Sequence, residues 1–324
     1  MRRRPLCALV ALSFAAAMSP LGAQPSRVAR LGFLNDVGRA DPSYAVLLSH
    51  LAERGWVEGR NLAVEFLVVD EDPNQSEALA RRLAQLNCDV ILAKGVAAAL
   101  AVHAGAPKTP KVFVMVADPV ALGIVATLQR PGGNATGFAG QSQEIAVKQL
   151  SLLRELAPAA KRVALMFHGG NISMSQSAST VELVAKPLGL AVRRFPLRGG
   201  QDVDAAHQIL LREPADGMLV LLDRVTYVHR WEIIAMANQL RLPTVYGSRF
   251  FTEYGGLVSF GIDWPALVVA SADYVARILD GAKPADLPVQ QPTRFELVVN
   301  RRGARTLGVT LPRSVLLQAT EVIE

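Results

Sequence analysis

Short apolar runs and longer amphipathic segments alternate along the chain from residue 29 onward, with Gly, Asp and Pro in the turns between them. The short runs are apolar throughout, which predicts strands covered on both faces, as in parallel sheets. The longer segments show helical periodicity, so the repeat is that of βαβ units. In the first half we predict strands at 29–34, 62–69, 89–93, 111–116 and 135–138, and helices at 44–55, 73–86 and 96–104.

The same alternation starts again at residue 143 and then ends in a tail that breaks the pattern. The second half predicts strands and helices in alternation: helix 143–156, strand 162–167, helix 174–188, strand 191–195, helix 203–211, strand 217–222, helix 227–240, and strands 244–246 and 257–260. The tail predicts a helix at 264–279, a Pro-rich link at 283–292, a strand at 295–300 and a short closing helix.

These elements predict an α/β protein of two Rossmann-like (flavodoxin-like) lobes with parallel sheets. We assign the tail helix to the first half and the last strand to the second half. Lobe 1 is then 24–142 plus 262–290, and lobe 2 is 143–261 plus 291–324. The chain crosses between the lobes three times, which predicts a hinge.

The first 23 residues are typical of a signal peptide, because Arg2, Arg3 and Arg4 precede an apolar run that ends before the small residue Ala23. The run is shorter than the roughly 20 residues that a membrane span needs. We therefore expect export, cleavage near Ala23 and a soluble periplasmic protein. Cleavage removes three positive charges from a formal net charge of +6, and the remaining charges alternate in sign, which argues against nucleic-acid binding.

Composition and motifs argue against catalysis. The chain has 324 residues, 51% of them apolar, which excludes a disordered protein. No dinucleotide, P-loop, G-x-S-x-G or H-E-x-x-H motif is present, and the histidines lack metal-ligand spacing, so we predict no metal, no cofactor and no enzyme. Only His168 lies at a predicted strand end, without a nameable partner. Cys88 is the one thiol left after cleavage, and its apolar surroundings indicate a buried structural residue.

The turns that follow the strands are where an open parallel sheet binds its ligand. Gly95 allows close backbone approach, and the N–H groups around Val96 and Ala97 start a helix that could receive a carboxylate. Asp118 or Asp223 suits an ammonium group, and Arg224 or Arg249 suits a carboxylate. The other interpretation is that these Asx residues only cap helices and that the arginines are solvated. The candidate ligand residues are Asn35, Gly95, Val96, Ala97, Asp118 and Pro119 in lobe 1 and Asn171, Asp223, Tyr246 and Ser248 in lobe 2.

Seven segments in order along the chain resemble one family, the ABC-transporter substrate-binding proteins of the tryptophan-binding, TrpX-like group, which have the type I periplasmic binding fold. They are GWVEGRNL at 55–62, VADPV at 116–120, RPGGNATG at 130–137, LPTVYG at 242–247, GGLVSFG at 255–261, GAKPADLP at 281–288 and QPTRFELVVN at 291–300. The resemblance implies a monomeric, two-lobed receptor. It would close on a small solute, such as an aromatic or other apolar amino acid, and present it to an inner-membrane permease with a separate ATPase.

Two segments depart from the pattern of that family. Where relatives commonly have Gly-Thr-Pro-Ala, this chain has Val96 after Gly95, and where they have Ser-Tyr-Gly-Pro it has Phe260 and Ile262. Either the ligand face is more apolar than in relatives, or Val96 and Phe260 pack in the core. Two other functions use such lobes. A repressor needs an N-terminal helix-turn-helix, which the sequence lacks, whereas a receptor for a membrane sensor stays open as an alternative.

Overall fold

The computed structural model describes residues 27–35, 42–69, 73–140 and 142–324. The predicted signal peptide at 1–23 lies outside the described residues. Within these ranges, no helix is both long enough and apolar enough to cross a membrane.

In the described part of lobe 1, five parallel strands form a sheet in the order β2-β1-β3-β4-β5. The helices α1 and α10 cover one face, where Phe33 and Leu92 are buried, and α2 and α3 cover the other, where Leu34 and Ile91 are buried. The strands are β1 (Ala29–Asn35), β2 (Leu62–Val68), β3 (Val90–Lys94), β4 (Lys111–Val116) and β5 (Ala135–Ala139), and the helices are α1 (Pro42–Glu53), α2 (Pro73–Gln85), α3 (Val96–Gly105) and α10 (Trp264–Leu279).

Within residues 142–324, seven strands form the sheet of lobe 2 in the order β12-β11-β10-β9-β8-β6-β7. The strands are β6 (Arg162–His168), β7 (Ala191–Leu197), β8 (Gly217–Val220), β9 (Thr244–Tyr246), β10 (Val258–Ile262), β11 (Phe295–Asn300) and β12 (Glu321–Ile323). The helices are α4 (Ser142–Leu156), α5 (Ile172–Ala185), α6 (Gly200–Arg212), α7 (Arg224–Val228), α8 (Arg230–Gln239), α9 (Arg249–Glu253), α11 (Arg301–Leu307) and α12 (Arg313–Gln318), with short 3-10 helices at Lys186–Leu188 and Pro284–Asp286. The two lobes confirm the predicted α/β class.

The second sheet differs from the prediction at its end. β11 pairs antiparallel with β10, and Ile262 lies opposite Phe295. The reason is that α10 packs in lobe 1, so the chain returns to the edge that it left and must run backward along β10. After the closing helices, β12 adds a strand parallel to β11 that the sequence pattern did not indicate.

The predicted helix at 227–240 is two helices. Asp223 caps α7, and His229 both ends α7 and begins α8. The apolar period continues across this break, so periodicity alone gave one continuous helix. α7 starts at Arg224, close to the carboxyl end of β8 and three residues before the predicted helix.

The described chain passes between the lobes at three places: after Gly140, between β10 and α10, and before β11. The last two passages run side by side, because the Asp263 N–H donates to the Arg294 carbonyl at 3.1 Å. Gln290 is held on β5, where its N–H donates to the Gly137 carbonyl at 2.9 Å and its carbonyl accepts from the Ala139 N–H at 2.8 Å. The carboxyl edges of the two sheets consequently face each other.

Gly137 in β5 provides a test of the close packing between β5 and β4. Its φ is +152°, and a Cβ built there would lie 2.0 Å from the Phe113 carbonyl oxygen. We expect Gly137→Ala to lower the free energy of unfolding by roughly 2–4 kcal/mol, measured by urea denaturation. Gly133→Ala is the control, because no described heavy atom lies within 4 Å of its Cβ position. Equal midpoints for the two variants would contradict the expected clash.

Candidate functional site

The facing edges of the two sheets enclose a cavity of about 190 Å³, to which both lobes contribute. Lobe 1 and the start of α10 provide Ser43, Val46, Lys94, Gly95, Val96, Met115, Ala117, Gly140, Trp264, Pro265 and Val268, lobe 2 provides Asn171, Ser173, Met174, Leu222, Asp223, Arg224, Tyr227 and Phe250, and Ile262 lies at a crossing. Most of these side chains are apolar or aromatic. Such a cavity is suited to a small ligand with an apolar body and a few polar groups.

Aromatic residues form opposite walls of the cavity. Trp264 is the first residue of α10 and is held there by the Asp263 cap, whose Oδ1 accepts from the Ala266 N–H at 3.0 Å. Across the cavity, Tyr227 and Phe250 pack edge to face with their ring centroids 5.5 Å apart. A planar apolar group placed between these rings gains contact from both lobes.

Cationic groups reach the cavity from both lobes. Lys94 ends β3, and its Nζ lies 3.3 Å from the Ser43 Oγ and 5.4 Å from the centroid of the Trp264 ring. Arg224 is the first residue of α7 in lobe 2. Next to Lys94, Gly95 adopts φ +90° and turns the chain into α3, whose first-turn N–H groups lack intrahelical acceptors. This end of the cavity can bind a carboxylate.

Asp223 is the acidic group among the described lining residues, and lobe 2 holds it firmly. Its Oδ1 lies 2.8 Å from His168 Nδ1, and its Oδ2 accepts from Asn171 Nδ2 at 2.5 Å. The side chain also caps α7 by accepting from the Val225 N–H. Each carboxylate oxygen can accept more than one hydrogen bond, so Asp223 can still bind an ammonium group. His168 therefore has an orienting partner that the sequence did not reveal.

Of the ten candidate ligand residues, four line the cavity: Gly95, Val96, Asn171 and Asp223. Ala97 lines an adjoining cleft at the outer side of α3. Asn171 also fits the capping interpretation, because its Oδ1 accepts from the Ser173 N–H at 2.9 Å and caps α5. Asn171 and Asp223 therefore each cap a helix and also line the cavity.

Three candidates of lobe 1 do not line the cavity within the described chain. Asn35 is fully buried at the end of β1. Asp118 is exposed, and its Oδ1 accepts from the Ala121 N–H at 2.9 Å, which closes a local turn. Pro119 is buried beneath that turn. A position directly after a strand does not by itself place a residue at the cavity. After β4, the turn closed by Asp118 keeps Asp118 and Pro119 out of the cavity wall.

Two candidates of lobe 2 also lie away from the described cavity walls. Tyr246 is fully buried and stacks on Phe251 with ring centroids 4.9 Å apart, and burial raises its pKa above the ordinary value. Ser248 caps α9 by accepting from the Phe250 N–H. β9 ends at Tyr246 as predicted, but the Tyr246 side chain packs among the buried residues of lobe 2 and the Ser248 side chain is used as a helix cap, so neither reaches the cavity.

Arg249, a candidate for a carboxylate ligand, instead binds carboxylates of its own chain. Its guanidinium lies 2.7 Å from Glu253, 2.9 Å from Glu296 and 2.8 Å from Glu321. These contacts tie α9 to β11 and β12. Arg249 therefore supports the end of lobe 2 rather than the cavity.

The aromatic residues of the cavity wall are absent from the predicted ligand residues, because those were taken only from the turns that follow strands. Trp264, Tyr227 and Phe250 lie instead in the helices α10, α7 and α9. The two departures from the family pattern have different places in the structure. Val96 lines the cavity, whereas Phe260 packs against Phe295 with ring centroids 6.0 Å apart.

The described residues show neither a reactive thiol nor a metal-binding cluster. Cys88 is buried, and burial raises the pKa of its thiol to about 11, so the thiolate is scarce at neutral pH. No cluster of His, Cys, Asp and Glu suited to a metal ion occurs in the described ranges.

Comparisons with known proteins decide the family. The family described as ABC transporter substrate binding protein matches residues 40–323. The chain belongs to this family. The resemblance drawn from the seven segments is thereby confirmed, and the proteins of this family bind solutes.

The substrate-binding protein is similar to three known proteins. A Tyrosine-binding protein of Clostridioides difficile is 23% identical over 260 residues, which cover 80% of this chain and 74% of the relative. The crystal structure of a conserved domain protein from Vibrio cholerae has a TM-score of 0.84 at 28% identity and covers 91% of this chain and 100% of that one. An ABC domain from Streptococcus pneumonia in complex with L-Trp has a TM-score of 0.80 at 24% identity and covers 91% and 99%. The predicted type I fold is confirmed.

Substitution of Asn171 tests whether the cap of α5 stabilises the cavity wall of this substrate-binding protein. Asn171→Ala removes the cap of α5 and the contact with Asp223, so we expect the free energy of unfolding to fall by about 1–2 kcal/mol in urea denaturation. Gln176→Ala, at an exposed position of the same helix, is the control and is expected to change it by less than about 0.5 kcal/mol. Equal stability of the two variants would mean that the cap does not hold the site.

Proposed function

We propose that this substrate-binding protein is the extracytoplasmic receptor of an ABC importer. It is exported by a signal peptide cleaved near Ala23, acts as a monomer in the periplasm and captures an aromatic or other apolar amino acid between its lobes. It then delivers the solute to an inner-membrane permease driven by a separate ATPase. The observation that carries the proposal is the apolar cavity between the two carboxyl edges, with charged groups of both signs in its wall.

Each part of an amino acid has a matching part of the cavity. The solute carboxylate binds at the start of α3, where Lys94 adds a positive charge, and Arg224 approaches it from lobe 2. The ammonium group binds Asp223, which His168 and Asn171 hold in place. The side chain of the solute packs among the aromatic walls.

The division of these groups between lobes explains why binding favours a closed form. Lys94 and Trp264 belong to lobe 1 and Asp223 to lobe 2, so a solute that contacts all three interacts with both lobes at once. A ligand shifts a conformational equilibrium by its difference in affinity for the two states. The closed arrangement is the one in which all the contacts exist, and it provides the shape difference that a permease can recognise.

The relatives support the choice of solute. The curated relative from Clostridioides difficile is named for tyrosine, and the structure from Streptococcus pneumonia holds L-Trp. Two proteins of the same fold, each about as distant from this chain as the other, thus bind amino acids with aromatic side chains. The aromatic walls described above provide the corresponding surface in this chain.

A thermal-shift series tests the solute class. L-Tyr, L-Trp, L-Phe and L-Leu are compared with L-Glu, L-Lys and glucose, and a ligand at about 100 times its Kd adds roughly 2.7 kcal/mol to the stability. We expect shifts with the first group. Lys94→Met is expected to reduce them, whereas Lys108→Met, at an exposed residue away from the cavity, is the control. Shifts with only the charged amino acids or the sugar would overturn the proposal.

The role of Asp223 is tested with a pair of ligands that differ only in the ammonium group, L-phenylalanine and 3-phenylpropionate. Asp223→Asn is expected to weaken binding of L-phenylalanine by roughly 10- to 100-fold, because a charged hydrogen bond is lost, and to leave 3-phenylpropionate nearly unchanged. Asp118→Asn is the control, since Asp118 lies on the surface. Isothermal titration gives the affinities, and equal weakening for both ligands would argue against an ammonium contact.

A further inference from the structure

A small compartment of about 50 Å³ lies behind the solute cavity. It shares Met115, Met174, Leu222, Ile262 and Trp264 with that cavity, so the two spaces adjoin. The remaining wall comes from Ile145, Gln149, Leu221 and Gly247. The space is large enough for a water molecule or the end of a ligand and too small for a second solute.

Gln149 brings an unsatisfied acceptor to this compartment. The residue is 1% exposed, and its Nε2 donates to the Phe260 carbonyl at 2.8 Å. That bond fixes the orientation of the amide, because a backbone carbonyl only accepts. The other amide atom, Oε1, is buried and has no hydrogen-bond partner in the described structure.

Trp264 brings an unsatisfied donor. It is 6% exposed, lines both spaces, and its indole Nε1–H is buried without an acceptor among the described residues. Buried polar groups are nearly always hydrogen-bonded, so an orphan donor and an orphan acceptor in one small wall indicate a missing partner. A carboxylate would only accept and an ammonium would only donate, whereas a hydroxyl does both.

We propose that the compartment receives a hydroxyl group on the aromatic ring of the solute. The hydroxyl oxygen accepts from Trp264 Nε1–H, and its proton is donated to Gln149 Oε1. This rests on the proposed function, which places the amino-acid end at Lys94 and Asp223 and the ring against Trp264. The proposed solute is then an amino acid with a phenol ring, such as tyrosine. The protein is expected to bind it more tightly than the same compound without the hydroxyl.

The test is the ratio of two dissociation constants, for L-phenylalanine and L-tyrosine, measured by isothermal titration on the whole mature protein. We expect L-tyrosine to bind at least about 10-fold more tightly, because L-phenylalanine leaves both buried groups unpaired. In Gln149→Met and in Trp264→Phe, the Kd for L-phenylalanine divided by the Kd for L-tyrosine is expected to fall toward one. General damage to the cavity weakens both ligands together and leaves the ratio unchanged. Gln143→Met, at an exposed position of the same helix as Gln149, is the control and keeps the ratio of the parent protein.

The outcomes separate this inference from the function on which it rests. Equal affinity for the two ligands in the parent protein would overturn the hydroxyl site, point to a resident water in the compartment, and leave the proposed function standing. A tyrosine preference that survives both substitutions would also overturn it, since another group would then recognise the hydroxyl. Binding of neither ligand would overturn the inference and the proposed aromatic solute together. Either variant alone decides the question should the other fail to fold.

Discussion

The structure depends on the way in which the chain leaves and re-enters lobe 2. β10 ends at the cleft, α10 packs on lobe 1, and β11 returns beside β10 in the opposite direction. The hydrogen bond between Asp263 and Arg294 joins the two passages where they cross. Because strands of both sheets end at these crossings, their carboxyl edges must face each other. A ligand site between two lobes is thus a consequence of connectivity, and side chains only decide what it binds.

The same residues carry stability and recognition in lobe 2. Asp223 caps α7 and Asn171 caps α5, and these two caps are bonded to each other and to His168. A carboxylate that is fixed by three contacts within its own lobe loses little conformational freedom when a ligand arrives. A helix cap placed at a cleft is therefore a preorganised ligand group, which explains why the capping and binding interpretations of such residues need not exclude each other.

The fold was largely predictable from the sequence, and the site was predictable only in part. Continuous apolar runs identified the strands, because a strand covered on both faces has no polar alternation. Residues of the turn after β3 and of the turn after β8 line the cavity. Asp118 and Tyr246 were expected there too, but Asp118 closes a local turn and Tyr246 packs on Phe251 in the core of lobe 2. Trp264 was missed because nothing local distinguishes a cavity wall from a core, and only the tertiary position of α10 makes it one.

The place of α10 in the chain has a consequence for the order of folding. The strands of lobe 1 are complete by Ala139, yet α10, which covers one of their faces together with α1, begins at Trp264. Until that helix emerges during synthesis, apolar side chains on the β4 and β5 side of that face, among them Val114 and Phe138, lack the helix that packs on them. The nascent chain thus carries an open hydrophobic surface while more than a hundred residues of lobe 2 are added. Lobe 2 also waits for the end of the chain, because β11 and β12 of its sheet follow α10, so neither lobe is complete until the last segment has been made.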